Sequence, residues 1–256
     1  MDLLFRPDFF NAVLLAMALL AAVVFVALFR VTAPYGMAFS GKWGPSLSNR
    51  TAWVLMEAPA FVVMALIWGS APAAGTAAAV MAALYMAHYF QRSFIFPLLM
   101  RGKSRMPVCI MAMGMLFNAI NAYLIGAWLF HIAPPYPDSW LRSPQFVAGT
   151  LLFLAGMWIN LDSDRRVRRL RKPGDTRHYI PRGGMFRFVT SANYFGELTE
   201  WVGFAILTWS APGALFALWT FANLAPRARK LHQRYIDEFG EQYEKLGRRY
   251  ILPFIF

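Results

Sequence analysis

Charge is scarce and one-sided in this 256-residue chain. Asp, Glu, Lys and Arg make up 15% of it, with 25 basic against 13 acidic residues and a net charge of +12. The hydrophobic share is 58%, against roughly 45–50% in soluble domains, and mean hydropathy is +0.43. Those values exclude an ordinary soluble domain. Basic clusters beside apolar runs read as membrane-flanking charge, so no nucleic-acid partner is expected. Cysteine is nearly absent: Cys109 alone excludes an internal disulfide and a thiolate metal cluster. The four histidines, His88, His131, His178 and His232, are too scattered for a local zinc motif, so no metal is expected. There is no Gly-x-Gly-x-x-Gly loop, no Walker loop and no Gly-x-Ser-x-Gly elbow. Strands are hard to place, which excludes a Rossmann fold and leaves a helical bundle to hold any nucleotide. Low-complexity linkers and 20–50-residue repeats are missing too, so residues 1–256 are expected to form one domain.

What is present is a series of apolar runs. A helix needs ~20 apolar residues to cross a bilayer, and Phe9–Phe29 supplies 21 without a charge. Further spans are expected at Thr51–Ser70, Ala73–Leu99, Pro107–His131, Pro144–Leu161, Asn193–Trp209 and Pro212–Leu224, with Pro72 and Pro212 starting the helices they precede. Segments 30–50, 98–106, 162–190 and 225–256 hold 3, 3, 9 and 7 basic residues, 22 of the 25. Alternate loops therefore carry the positive charge, which predicts an all-α, seven-span protein with its N-terminus outside and its C-terminus cytoplasmic.

Ionisable or strongly polar groups inside the spans are the candidates for chemistry, because each is expensive there and faces the bundle interior or a cavity. They are Glu57, His88, Tyr89, Arg92, Glu197 and Glu200. Glu57 lies roughly 10 Å along its helix from Arg50 at 1.5 Å per residue. It reads either as a neutral acid that donates a hydrogen bond or as a carboxylate paired with Arg92. Tyr85, Tyr89 and Arg92 recur at i, i+4 and i+7, a polar stripe on one face, with His88 set to its side. A second stripe runs through Asn160, Asp164, Arg168 and Arg171, and a third through Asn193, Glu197 and Glu200. Arginine forks bind phosphate and carboxylates accept hydroxyl donors, so a mouth lined by these groups suits a nucleotide.

The motifs resemble a known family, the membrane steroid 5α-reductases. The resemblance is carried by Leu170-Arg-Lys-Pro-Gly-Asp175, Ile180-Pro-Arg-Gly-Gly-Met-Phe186, Ser191-Ala-Asn-Tyr-Phe-Gly-Glu-Leu-Thr-Glu-Trp201 and Ile251-Leu-Pro-Phe-Ile-Phe256. The N-terminal half agrees through Gly41-Lys-Trp-Gly-Pro45, Trp53-Val-Leu-Met-Glu-Ala-Pro59 and His88-Tyr-Phe-Gln-Arg-Ser-Phe94. It implies an NADPH-dependent enzyme that reduces the Δ4 double bond of a 3-oxo-steroid, with Glu57 and Tyr89 binding the 3-keto oxygen. On the substrate side it implies Trp53, Glu57, Tyr89 and Phe117. For the cofactor it implies Arg92, Arg101, Arg105, Asn160, Asp164, Arg171, Tyr179, Asn193, Glu197, Arg227, His232 and Tyr235. Spans within 1–106 would serve mainly the substrate and 107–256 mainly the cofactor. Two departures stand out: Met56 occupies the place of a glutamine in mammalian relatives, and His232 stands alone where relatives often have adjacent histidines.

The same likeness extends to reductases of enoyl-thioesters and polyprenols, and the wider superfamily to isoprenylcysteine methyltransferases that use S-adenosylmethionine. Methyl transfer to a carboxylate needs no donor toward an enolate oxygen, which argues against the last. A transporter reading would need matching half-repeats, and none is visible. The expected partners are a steroid or related lipophilic enone and membrane lipid. With no small-x-x-x-small surface that stands out, a monomer is expected. The host membrane would be the inner membrane of a bacterium or the endoplasmic reticulum of a eukaryote.

Overall fold

In the computed structural model, residues 3–31, 41–71, 74–101, 104–170 and 177–256 are described. Pro72 and Arg171 lie outside them. The chain divides into two compact units: Met1–Leu19, Ala33–Val147 and Ser210–Pro212 form the first, and Leu20–Thr32, Ala148–Trp209 and Gly213–Phe256 the second. Both are helical. Helix α1 spans Pro7–Arg30 and contributes residues to each unit. It buries little of itself: Leu15, Leu19 and Val23 are 61–63% exposed, as a lipid-facing span requires.

In the first unit α2 covers Asn49–Gly69, capped by Ser48, whose hydroxyl accepts from the Thr51 amide at 3.2 Å. Helix α3, Thr76–Phe90, runs through a π-turn at Gln91–Ile95 into α4, Phe96–Leu99. Helix α5, Val108–Ala127, likewise ends in a π-turn at Trp128–Ile132. Single π-turns inside helices recur at functional sites because they re-aim side chains. A feature the sequence does not signal precedes two of these helices. Strands β1 (Ser46–Ser48) and β2 (Arg105–Pro107) pair antiparallel, Leu47 opposite Met106, immediately before α2 and α5 begin. Helices α2 and α5 make the most extensive interhelical contact of this unit. The bare backbone of Gly114 admits Met56: a Cβ there would lie 2.6 Å from the Met56 sulfur.

The second unit contains α6 (Pro144–Arg169), α7 (Ala192–Thr208), α8 (Ala211–Phe239) and α9 (Glu241–Glu244). Helices α6 and α7 run antiparallel with their backbones in contact. A Cβ on Gly149 would meet the Gly203 carbonyl at 2.7 Å, and one on Gly156 the Gly196 carbonyl at 2.6 Å. Two glycine pairs spaced seven residues apart therefore face each other along one seam. The apolar segment expected at Pro212–Leu224 is only the first half of α8, which continues through Pro226 to Phe239. That extension carries Arg227, His232 and Tyr235 on a helix.

Among the described residues four helices are long and apolar enough to cross a membrane: Pro7–Arg30, Asn49–Gly69, Val108–Ile132 and Pro144–Arg169. Helix α3 has 15 residues before its π-turn and α7 has 17. The fold is that of an all-α membrane protein.

Candidate active site

In the first unit a polar cluster is assembled from α2, α3 and α5. Tyr85 and Tyr89, one turn apart on α3, place their rings 4.7 Å apart, and both are buried. His88 sets its ring edge-on to Tyr89 at 5.1 Å. The Asn118 amide on α5 joins the two expected catalytic groups. Its Nδ2 donates to the Met56 carbonyl at 2.8 Å and to Glu57 Oε2 at 3.1 Å, and its Oδ1 accepts from Tyr89 Oη at 3.4 Å. Two oxygen acceptors on one side fix which end of the amide carries the hydrogens. Beside it Asn121 donates to Tyr85 Oη at 3.2 Å. Asn118 and Asn121 are both 5% exposed. Neither belongs to the expected set; two amides in an otherwise apolar helix are the signal that finds them.

Arg92 sits inside the π-turn, and its guanidinium lies 4.4 Å from the Phe96 ring centre and 5.2 Å from that of Trp53. A buried cation between aromatic rings is held by its attraction to their π-faces. Trp53 is half-buried and its indole Nε1 has no hydrogen-bond partner; Phe117 is also half-buried. Arg105 donates through Nε to Ser46 Oγ at 2.8 Å and through a second nitrogen to the Ser46 carbonyl, which ties it to the β-ribbon. Arg101 is exposed. These three arginines therefore belong to the unit that carries Glu57.

Eight of the remaining expected cofactor residues belong to the second unit, and Arg171 is outside the described residues. Asn160 donates to the Asn193 carbonyl at 2.9 Å, and Asn193 Nδ2 donates to Asp164 Oδ1 at 3.3 Å. Asn160 and Asp164 are buried, and Glu197, one turn along α7 from Asn193, is half-buried. The glycine seam brings these two polar stripes together, since Gly196 packs against the Asn160 backbone. On α8, Arg227 donates to Asn223 Oδ1 at 3.0 Å and lies 5.4 Å from the Tyr194 ring centre. Tyr235 reaches the Tyr179 carbonyl at 3.5 Å and stacks on Tyr243 at 5.0 Å.

His232 belongs to a network centred on Thr190, a residue without a sequence signal. Thr190 Oγ1 donates to the Arg249 carbonyl at 3.1 Å, and lies 2.5 Å from His232 Nδ1 and 2.6 Å from Tyr243 Oη. One proton and two lone pairs let this hydroxyl serve all three partners. Burial and the nearby Arg248 cation hold His232 below the usual histidine range, while burial pushes Tyr243 up. Arg248 donates to the Pro181 carbonyl at 2.8 Å, and its other terminal nitrogen, like Ser191 Oγ, is buried without a hydrogen-bond partner among the described residues. The charge-rich end of α6 is structural in part. Asp162 binds Arg165 and Arg166 at 2.6 Å each, and Arg166 packs against Gly183 and Gly184, both at positive φ.

Comparison with known proteins places these clusters in a family context. Residues 104–256 match the family described as 3-oxo-5-alpha-steroid 4-dehydrogenase. The chain is 42% identical over 225 residues to "3-oxo-5-alpha-steroid 4-dehydrogenase 1" of Macaca fascicularis, covering 87% of this chain and 84% of that protein. It is 38% identical over 258 residues to "Steroid 5-alpha-reductase DET2" of Arabidopsis thaliana, covering 97% of each. Against "3-oxo-5-alpha-steroid 4-dehydrogenase 2" of Sus scrofa it is 40% identical over 255 residues, 96% of this chain and 97% of that protein.

Proposed function

This chain belongs to the 3-oxo-5-alpha-steroid 4-dehydrogenase family, oxidoreductases acting on a CH–CH group, and from that premise we propose that it reduces the Δ4 double bond of a 3-oxo-steroid at the expense of NADPH. The observation that carries the proposal is the Asn118 bridge between Glu57 and Tyr89. Saturating an enone places negative charge on the carbonyl oxygen, and donors fixed in advance where that charge develops lower the barrier. Asn118 engages Glu57 Oε2 and so fixes the plane of this carboxyl, whose Oε1 carries the proton offered to the substrate oxygen. Tyr89, which meets Asn118 at 3.4 Å, is the second donor to the same oxygen. Trp53 and Phe117 supply apolar walls for the ring system.

The second unit has a polar set that fits a dinucleotide: the Asn160–Asn193–Asp164 cluster, Glu197, Arg227, Tyr179, Tyr235, His232, and two buried groups without a partner among the described residues, Ser191 Oγ and one terminal nitrogen of Arg248. NADPH bound there supplies the hydride. Arginine forks hold phosphate oxygens, and amides and carboxylates hold ribose hydroxyls and the carboxamide. The family likeness assigns Arg92, Arg101, Arg105 and Arg171 to the cofactor as well. The protein acts as a monomer with seven spans and its basic C-terminal segment in the cytoplasm, the arrangement that puts 22 of 25 basic residues on one side.

The test is NADPH oxidation by the detergent-purified protein on addition of testosterone or progesterone, with the product examined by mass spectrometry. A steroid-dependent signal and a product heavier by two hydrogens support the proposal. Bound NADPH without steroid-dependent oxidation would refute the steroid as substrate and direct the search to enoyl-thioesters or polyprenols. Failure to bind NADPH would refute the cofactor.

A further inference from the structure

The two most exposed large apolar side chains among the described residues are adjacent, Phe254 at 77% and Ile255 at 80%, and neither lies on a membrane helix. They are held out by a rigid turn. Phe254 adopts φ +66°, a left-handed conformation that a bulky L residue rarely takes. The turn that enforces it is closed by the Ile251 and Leu252 amides, both donating to the Phe256 carbonyl at 2.9 and 2.7 Å. Its root is Ile251, wholly buried beside Leu198 of α7 and Leu224 and Ala228 of α8. Alongside runs the segment before α7: the Arg249 amide donates to the Phe188 carbonyl at 2.9 Å and the Thr190 amide to the Arg249 carbonyl at 2.8 Å. Val189 and Thr190 point inward, while Phe188 is 41% exposed and sets its ring 5.4 Å from Phe254. The neighbours on each backbone are Arg187 and Arg249, both exposed and in no ion pair among the described residues.

We propose that Phe188, Phe254 and Ile255, flanked by Arg187 and Arg249, form an interfacial foot that seats in the headgroup layer of the bilayer the protein spans, with the arginines on anionic lipid. The occupant follows from placement and charge. The turn is rooted two helical turns from the start of α7, the depth at which a spanning helix meets the headgroups. Aromatic side chains favour that layer, and exposed cations beside them match its anionic phosphates. A strained turn that expels two apolar side chains into water would carry a cost with no return; seated in lipid, it recovers the burial of both. The foot also fixes the Thr190 network, whose Arg249 carbonyl lies in the same backbone pair. It rests on the reading of α7 as a span but not on which enone is reduced.

The experiment is site-directed spin labelling of the full-length Cys109→Ala protein in phosphatidylcholine vesicles with and without phosphatidylglycerol. Single labels are placed at Ile255→Cys, at Val202→Cys in mid α7 and at Glu241→Cys on the exposed α9. The expected result is that labels at 255 and 202 collide more with molecular oxygen than with a water-soluble nickel chelate, and that the label at 241 does the reverse. Omitting phosphatidylglycerol, or adding Arg187→Gln and Arg249→Gln, should raise nickel collisions at 255 several-fold. A water-like label at 255 with a lipid-like one at 202 overturns the foot and leaves the span intact; water-like labels at both overturn the span as well. Dipolar broadening at 255 would instead assign the patch to a second copy of the chain, which also overturns the proposal. Insensitivity to anionic lipid and to both arginine variants removes the headgroup contact.

Discussion

Replacing Asn118 by Leu keeps the bulk of the side chain and removes its amide, which isolates what the bridge does. The variant loses the donation to the Met56 carbonyl at 2.8 Å, the donation to Glu57 Oε2 at 3.1 Å and the acceptor that holds Tyr89 at 3.4 Å. A buried group left without its partner costs about 1–3 kcal/mol. Met56 lies inside α2, whose own ladder still engages that carbonyl, and Glu57 is only half-buried, so the stability loss falls at the low end of that range. The catalytic loss is larger. Without the Asn118 contact Glu57 is no longer fixed as a donor to the developing oxyanion, and loss of one such donor costs ~10²–10³ in turnover, about 2.7–4 kcal/mol. Tyr89 remains, so a fall of about 10² in kcat is expected. The assay is steroid-dependent NADPH oxidation for kcat and KM, with NADPH affinity measured separately. That affinity should hold within about 0.5 kcal/mol, as expected for independent sites. Asn121→Leu, which removes only the bond to Tyr85, should cost less. Wild-type turnover in Asn118→Leu would refute the reasoning, and a loss confined to KM would make Asn118 a uniform binding group instead.

Three further outcomes are expected. Glu57→Gln keeps the shape but not the acid and should lower kcat by ~10²–10³; unchanged turnover would take Glu57 out of the chemistry. Gly156→Ala places a methyl group on the Gly196 carbonyl, and overpacking of this kind costs typically 1–3 kcal/mol. The thermal midpoint in detergent should fall and NADPH binding weaken with it, since Asn160 and Asn193 flank the same seam; an unshifted midpoint would contradict the backbone contact. His232 is held below its ordinary value, so the unfolded chain binds a proton that the folded chain resists. Stability is then fully present above pH ~6.5 and declines as pH falls below it. Asn at position 232 retains a donor for Thr190 without titrating. The wild type should therefore lose stability relative to His232→Asn below that pH, and parallel curves would rule the linkage out.

The legible part of this protein was whatever depends on local composition. Apolar runs too long for a soluble core marked α1, α2, α5 and α6 as membrane helices, because hydrocarbon demands about 20 apolar residues whatever the neighbours. The polar groups a bilayer penalises, Glu57, Tyr89 and the Asn160 and Asn193 stripes, were visible for the same reason. The end of α8 was not, since Pro226 and the charges after Leu224 read as a loop while the helix runs on to Phe239. Nor was the π-turn that carries Arg92, set over Phe96 and Trp53.

By itself, then, the sequence determined that the chain lives in a membrane, that its basic residues cluster in a few segments, and which residue types are available for chemistry. Only the tertiary structure decided which of them act together. Asn118 meets Glu57 across 61 residues, and Thr190 meets His232 across 42. Glycines 149, 156, 196 and 203 acquire a purpose only once α6 lies against α7. Hydropathy is a property of each residue and adds along a chain, whereas a hydrogen bond between distant residues exists only after the helices that carry them have packed.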